Sequence, residues 1–367
     1  EVSTLGDRTI IRLSADASAE LPSRGQVAAE AVVGSALTLG EDLSDDVAAW
    51  AMGEMMAGDA TEGQVGGFLL ALAAKGVTVP ELRGLTEAMV QAANPVHVPG
   101  ETLDVVGTGG DRLGTVNLST MSSLVAAGAG ARIVKHGNRG ASSTAGAADV
   151  IEALGVDLSM PARKAEECAE AVGITFLFAQ NYHPSMKYVA PVRKQLGVPT
   201  VFNFLGPLSN PAQVTAQALG CSSEAMVPLL AQVLADRGVR GFVFRGADGR
   251  DKITTSGPST VMEVRDGVRT HELDPRELGI DLAPVQALAG RDGAYNATLV
   301  RALLAGEKGP IRDAVLLNAA AGLTAWDRDA DAPLMERLAA NMTRAAESID
   351  SGAARDVLDR WVAFSRS

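Results

Sequence analysis

Over residues 26–95 apolar positions recur at helical spacing, and no strand-like alternation interrupts them. Val47, Ala51, Met52, Met55 and Met56 form one stripe behind Asp45-Asp46. Thr61-Glu62-Gly63-Gln64 has the form of a capping box for a second helix, and Pro80 suits the first turn of a third. At Leu103 the pattern changes. Residues 103–106 read as a buried strand, followed by a glycine-rich turn and a helix over about 118–127. Strand-like runs return at 132–134, 174–178, 217–220 and 241–244, separated by helical stretches such as 161–172 and 223–236. Beyond Ala294 the chain turns helical again, and no internal repeat is visible. This alternation predicts an α/β fold: a small all-helical N-terminal domain, then a larger α/β domain with a mainly parallel central sheet flanked by helices. Residues 1–24 read as a flexible polar leader without assigned function.

Composition narrows the function classes. The 367 residues are 47% hydrophobic and 21% charged, enough apolar surface for a large core and too much for disorder. A net charge of -12 speaks against nucleic acid or an anionic membrane as partner, since both require a positive field. Cys168 and Cys221 lack a CxxC or His companion, which suggests neither a zinc site nor a disulfide framework. No window holds the ~18 consecutive apolar residues of a membrane span, and a cytoplasmic protein is expected.

Three clusters carry chemistry. Gly107-Thr108-Gly109-Gly110-Asp111 follows a predicted strand and leads to a helix near Asn117-Leu118-Ser119-Thr120. Such glycines let backbone N–H groups approach an anion, although a plain tight connection has the same look. The run fits neither GxGxxG nor GxxxxGK[ST]. Lys135-His136-Gly137-Asn138-Arg139, with Ser142 and Ser143 beyond it, ends the next strand, either as a ligand loop or as a solvated one. Because the two loops end successive strands, they should face one crevice. The third cluster is His183, Arg193 and the run 198–211, where Arg193 is either a carboxylate clamp or a surface residue. The repeated Pro and Gly of 202–211 suggest a rigid hinge-like connection.

Taken together, GTGGD, NLST, KHGNR and VPTVFNFLGPLSNP resemble the anthranilate phosphoribosyltransferases, from about Gly40 to the C-terminus. The resemblance implies phosphoribosyl transfer from phosphoribosyl pyrophosphate (PRPP) to anthranilate with Mg2+, without a covalent nucleophile, in a homodimer joined through the helical domain. It places the helical domain at 25–98, with 184–200 packing onto it, and the α/β domain at 99–183 and 201–367. By matching positions, Gly107, Thr108, Gly109, Gly110, Asp111, Thr115, Asn117, Ser119, Thr120, Lys135, Gly137, Asn138 and Ser143 would bind PRPP. Gly107, His136, Asn138, His183 and Arg193 would line the anthranilate site, Arg193 taking the carboxylate. Ser119 and Asp251 would reach magnesium.

Two departures stand out. Where the family usually has an Asp-Glu pair for a second magnesium, this chain has Asp251-Lys252. Lys252 could touch pyrophosphate, leave the metal to a substitute carboxylate, weaken metal binding, or point to solvent. Arg112 also replaces a usually small residue. The rival readings are a pyrimidine nucleoside phosphorylase, whose loop typically reads KHSTGG, and a non-catalytic nucleic-acid-binding homologue, which the acidic charge disfavours.

Overall fold

The computed structural model describes residues 2–5, 8–11, 36–140, 145–328 and 331–367. Of the expected leader, only the backbones of β1 (Val2–Leu5) and β2 (Arg8–Ile11), paired antiparallel, fall within these bounds. The rest of that expectation lies outside the described residues.

Helices α1 (Asp45–Ala57), α2 (Glu62–Lys75) and α3 (Val79–Gln91) form where the apolar stripes predict them. Ser44 caps α1, Thr61 and Gln64 close a reciprocal capping box on α2, and a proline occupies the first turn of α3. Their buried faces meet through Met52, Met55, Leu69, Leu72, Leu82 and Leu85.

The sheet contains β3 (Leu103–Gly107), β4 (Ile133–Gly137), β5 (Ile174–Phe178), β6 (Ala216–Gly220), β7 (Arg240–Gly246), β8 (Ser259–Arg265) and β9 (Gly267–Leu273). The spatial order is β5-β4-β3-β6-β7-β8-β9, parallel from β5 to β7 and antiparallel for the last two. The β8–β9 hairpin has no counterpart in the sequence reading. Most of β9 is exposed or half-buried, so it carries little apolar signal.

In chain order the remaining helices are α4 (Leu118–Gly128), α5 (Ala147–Leu154), α6 (Ala162–Val172), α7 (Ala179–Tyr182), α8 (Met186–Leu196), α9 (Phe202–Leu208) and α10 (Met226–Asp236). They are followed by α11 (Gly293–Leu304), α12 (Pro310–Trp326), α13 (Leu334–Asp350) and α14 (Ala353–Arg366). Alternation along the strands divides them between two faces. Leu103, Val105, Ala218 and Phe242 enter a core shared with α4 and α12, whereas Val106, Leu219, Val243 and Val264 enter one shared with α10 and α1–α3. Helix α8 lies against α1 and α2 and buries Val189 and Val192 there.

From β3 the chain fills the sheet outward to β5, then returns to β6 on the other side of β3 and continues to β9. The carboxyl ends of β3 and β6 therefore flank the point where strand order reverses. In open α/β sheets that point is a crevice.

Candidate active site

The turn after β3 is built around two glycines in the left-handed region, Gly109 at φ 68° and Gly110 at φ 86°, where a side chain would strain the backbone. It is tied to β6 by Thr108 N–H donating to the Gly220 carbonyl at 2.9 Å, and by Ser222 Oγ donating to the Gly109 carbonyl at 2.8 Å. Beneath it lies Asp251, only 2% exposed, whose Oδ2 accepts the Gly109 N–H at 2.7 Å. A Cβ on Gly107 would stand 2.1 Å from that Oδ2, and one on Gly220 would stand 1.7 Å from the Asp251 carbonyl oxygen. The tips of β3 and β6 thus clasp Asp251. Burial raises its carboxyl pKa despite the opposing charge of Lys252, whose ammonium pairs with Oδ1.

Beyond the turn, Arg112 is exposed with a left-handed φ of 56°, on the solvent side of the loop. Thr115 Oγ1 accepts Arg250 Nε at 2.9 Å, and Asn117 Oδ1 accepts Asn296 Nδ2 at 2.8 Å. Helix α4 then begins, with Ser119 half-buried in its first turn and Thr120 buried. Its N-terminus adds partial positive charge to the turn.

Strand β4 brings Lys135 alongside. It is 2% exposed, and its ammonium donates to the Val105 carbonyl. Asp104 on β3 is its counter-charge, and also accepts His136 N–H at 3.2 Å and Asn210 Nδ2 at 3.0 Å. Burial outweighs the pull of Lys135 and pushes the Asp104 carboxyl up to about 6. Burial likewise lowers the Lys135 pKa, against the stabilising charge of Asp104. Asp104 and Arg250 were absent from the sequence-based candidates, and Asn210 stood in the third cluster without an assigned role. An acid inside an otherwise apolar strand was the available signal for the first.

Arg139 pairs with Asp149 and Glu152 on α5 and covers the Phe178 ring at 5.5 Å. Asn138 is exposed, its Oδ1 accepting Arg139 N–H at 2.8 Å, and Gly137 ends β4 against Phe176. Ser142 and Ser143 lie outside the described residues.

The third cluster corrects an expectation. Residues 202–208 form helix α9 within the run expected as a hinge-like connection, and Asn203 Oδ1 accepts Thr200 N–H at 3.0 Å just ahead of it. The Gly206 carbonyl accepts from His136 Nδ1 at 3.1 Å, and the Ser209 carbonyl accepts from His183 Nε2 at 3.0 Å. The two rings stand 5.1 Å apart, and His136 Nε2 is buried without a partner. At the other end of α9, the Arg193 guanidinium stacks over Phe202 at 5.2 Å. Among the described residues Arg193 has no carboxylate partner, so the edge of its planar fork remains available to an anion.

Burial lowers His136 to about 3 and His183 to about 4, so both are neutral at pH 7. Unfolded imidazoles titrate near 6.5. The unfolded chain therefore binds more protons on acidification, and stability falls below about pH 6.5 by up to about 1.4 kcal/mol per pH unit for each imidazole. Asp104 acts oppositely, contributing stability that is lost as pH rises through about 6, but one carboxyl faces two imidazoles. Thermal midpoints are expected to drop from pH 7 to pH 4.5, with a shallower slope in the His136→Gln/His183→Gln double variant. A flat wild-type profile would contradict this assignment.

Metal fit differs between the two expected positions. Ser119 offers one hard oxygen at the open crevice, which suits a magnesium ion coordinated mainly by substrate phosphates and water. Asp251 suits one poorly: its charge is already paired with the Lys252 ammonium on one oxygen while the Gly109 N–H occupies the other, so a divalent ion would sit beside a cation. Lys252 is not a solvent-facing lysine, since its side chain is only 13% exposed. No group of three His, Cys, Asp or Glu side chains among the described residues is arranged to hold a metal.

A glycine turn and a buried lysine lie at the reversal point of a parallel sheet with a helical unit alongside, and the family matches place this arrangement among the glycosyltransferases. Residues 99–355 match the glycosyl transferase family a/b domain, and residues 35–93 match its helical bundle domain. The chain is 58% identical over 333 residues to anthranilate phosphoribosyltransferase of Arthrobacter sp. (strain FB24), spanning 90% of this chain and 95% of that one. The Thermus thermophilus enzyme of the same name superposes with a TM-score of 0.86 at 43% identity, covering 91% of this chain and 99% of that one. The Saccharomyces cerevisiae enzyme in complex with PRPP and Mg gives 0.85 at 27% identity, covering 93% and 99%. This chain belongs to the anthranilate phosphoribosyltransferase family. Neither rival reading finds support in these relatives.

Proposed function

We propose that the crevice transfers the phosphoribosyl group of 5-phosphoribosyl 1-pyrophosphate to the amine of anthranilate, giving N-(5-phosphoribosyl)anthranilate and pyrophosphate in L-tryptophan biosynthesis. The observation that carries this reading is that the glycine turn after β3 and Lys135 of the adjacent strand β4 lie together, beside a separate cluster of two imidazoles and an arginine with no carboxylate partner among the described residues. Departure of pyrophosphate builds negative charge on the leaving group, and preorganised N–H groups and a buried ammonium stabilise it. Gly107 to Asp111, Thr115, Asn117, Ser119, Thr120, Lys135, Gly137, Asn138 and Ser143 hold the donor in this reading. Magnesium bound by Ser119 and the donor's phosphates supplies further charge neutralisation. The aromatic amine is largely unprotonated at neutral pH, so alignment rather than a protein nucleophile drives the step.

The acceptor lies against Gly107, His136, Asn138 and His183, its carboxylate on Arg193. The same reading divides the chain at about residue 98, with 184–200 on the helical side, and pairs two copies through the helical domain. No helix among the described residues is long and apolar enough to cross a membrane.

Loss of anthranilate fluorescence in the presence of donor and Mg2+ tests the activity directly. Arg193→Ala is expected to raise the KM for anthranilate roughly 30- to 800-fold, about 2–4 kcal/mol for a lost charge-assisted pair, while leaving the donor KM within a few-fold. Equal changes in both constants would remove Arg193 from the acceptor site.

A further inference from the structure

We infer that Lys252 is a donor-binding residue, a built-in cation for the diphosphate at the place where Asp251 would otherwise invite a second metal ion. The inference rests on the phosphoribosyl-transfer reading and deepens it. Three observations carry it.

Both oxygens of the Asp251 carboxylate already have a donor, the Gly109 N–H on one and the Lys252 ammonium on the other. Asp251 is also closely packed, because its main chain and side chain fill the room that Cβ atoms on Gly220 and Gly107 would need. Second, Lys252 is held inside the crevice at 13% exposure, close enough to Lys135 for their charges to repel. Third, among the described residues Asp251 is the hydrogen-bonding partner of Lys252, which leaves two of the three ammonium protons for a ligand.

A divalent ion at Asp251 would share the carboxylate with an ammonium and be repelled by it, with Lys135 adding a further positive charge. Asp111 is near enough to act on Asp251 electrostatically, yet its Oδ1 already accepts Leu113 N–H at 3.2 Å. A ligand with several anionic oxygens, by contrast, meets the remaining N–H donors of Lys252 beside the buried ammonium of Lys135. The diphosphate of the donor has that chemistry.

The test counts metal ions and weighs donor affinity separately. Crystals of wild type grown with PRPP and Mn2+ are expected to show one manganese anomalous peak per protomer, away from Asp251, and crystals of Lys252→Glu two. Equilibrium dialysis at saturating Mg2+ should show the donor Kd rising tenfold or more in Lys252→Met, with recovery in Lys252→Arg and unchanged circular dichroism. A second manganese on wild-type Asp251, or an unaltered donor Kd in Lys252→Met, would overturn the inference. If wild type still consumes anthranilate fluorescence in either case, the transferase reading stands and only the role of Lys252 falls.

Discussion

Replacing Lys135 by methionine is expected to lower kcat/KM for the donor about a thousandfold, the effect typical of removing a preorganised donor from a developing anion. The side chain is buried beside the glycine turn with Asp104 as counter-charge, so the substitution also strands a carboxylate in the interior. Breaking a buried pair in this way costs about 3–5 kcal/mol. The two consequences separate in the double variant Lys135→Met/Asp104→Asn. Asparagine at 104 keeps an oxygen for the His136 N–H and Asn210 contacts but carries no charge. Thermal stability is expected to recover and activity to stay low. If the double variant regained activity, Lys135 would be a structural cation and the anion cradle would lack its proposed centre.

The second large effect concerns folding. Gly220→Ala puts a methyl group 1.7 Å from the Asp251 carbonyl oxygen, with backbone on both sides and no side chain free to yield. The strands must part, at a cost of about 3 kcal/mol or more. A fall in thermal midpoint of roughly 5 °C or more is expected, accompanied by weaker donor binding because Asp251 and Gly109 move together. Gly67→Ala in α2, where an added methyl meets nothing within 4 Å, is the matched control and should stabilise by about 0.5–1 kcal/mol. Equal midpoints for the two variants would mean that the clasp around Asp251 is looser than its geometry indicates.

The parallel strands were legible because burial on both faces demands continuous apolar runs bounded by glycine. The hairpin of β8 and β9 was not, since an edge strand exposing Arg269 and Glu272 has no such run. At the site, the glycine turn and Lys135 could be read from strand ends. What escaped was the set of residues that orient them. Asp104 was hidden in an apolar strand, and Asn210 and Arg250 act across 76 and 135 residues of chain. Helix α9 reads as a hinge in the sequence because Gly206 and Pro207 usually break helices, and among the described residues no side chain caps its N-terminus to signal a start. Lys252 was left open between solvent and site, a choice that depends on neighbours distant in sequence.

Helix α9 has a consequence for acceptor choice. Phe202 under Arg193 and the carbonyls of Gly206 and Ser209 all ride on one short segment. They form a single cassette, so a substitution that alters its pitch shifts Arg193 and both imidazoles in concert. On the proposed reading acceptor preference is then retuned as a unit, while the donor side at the strand tips keeps its shape.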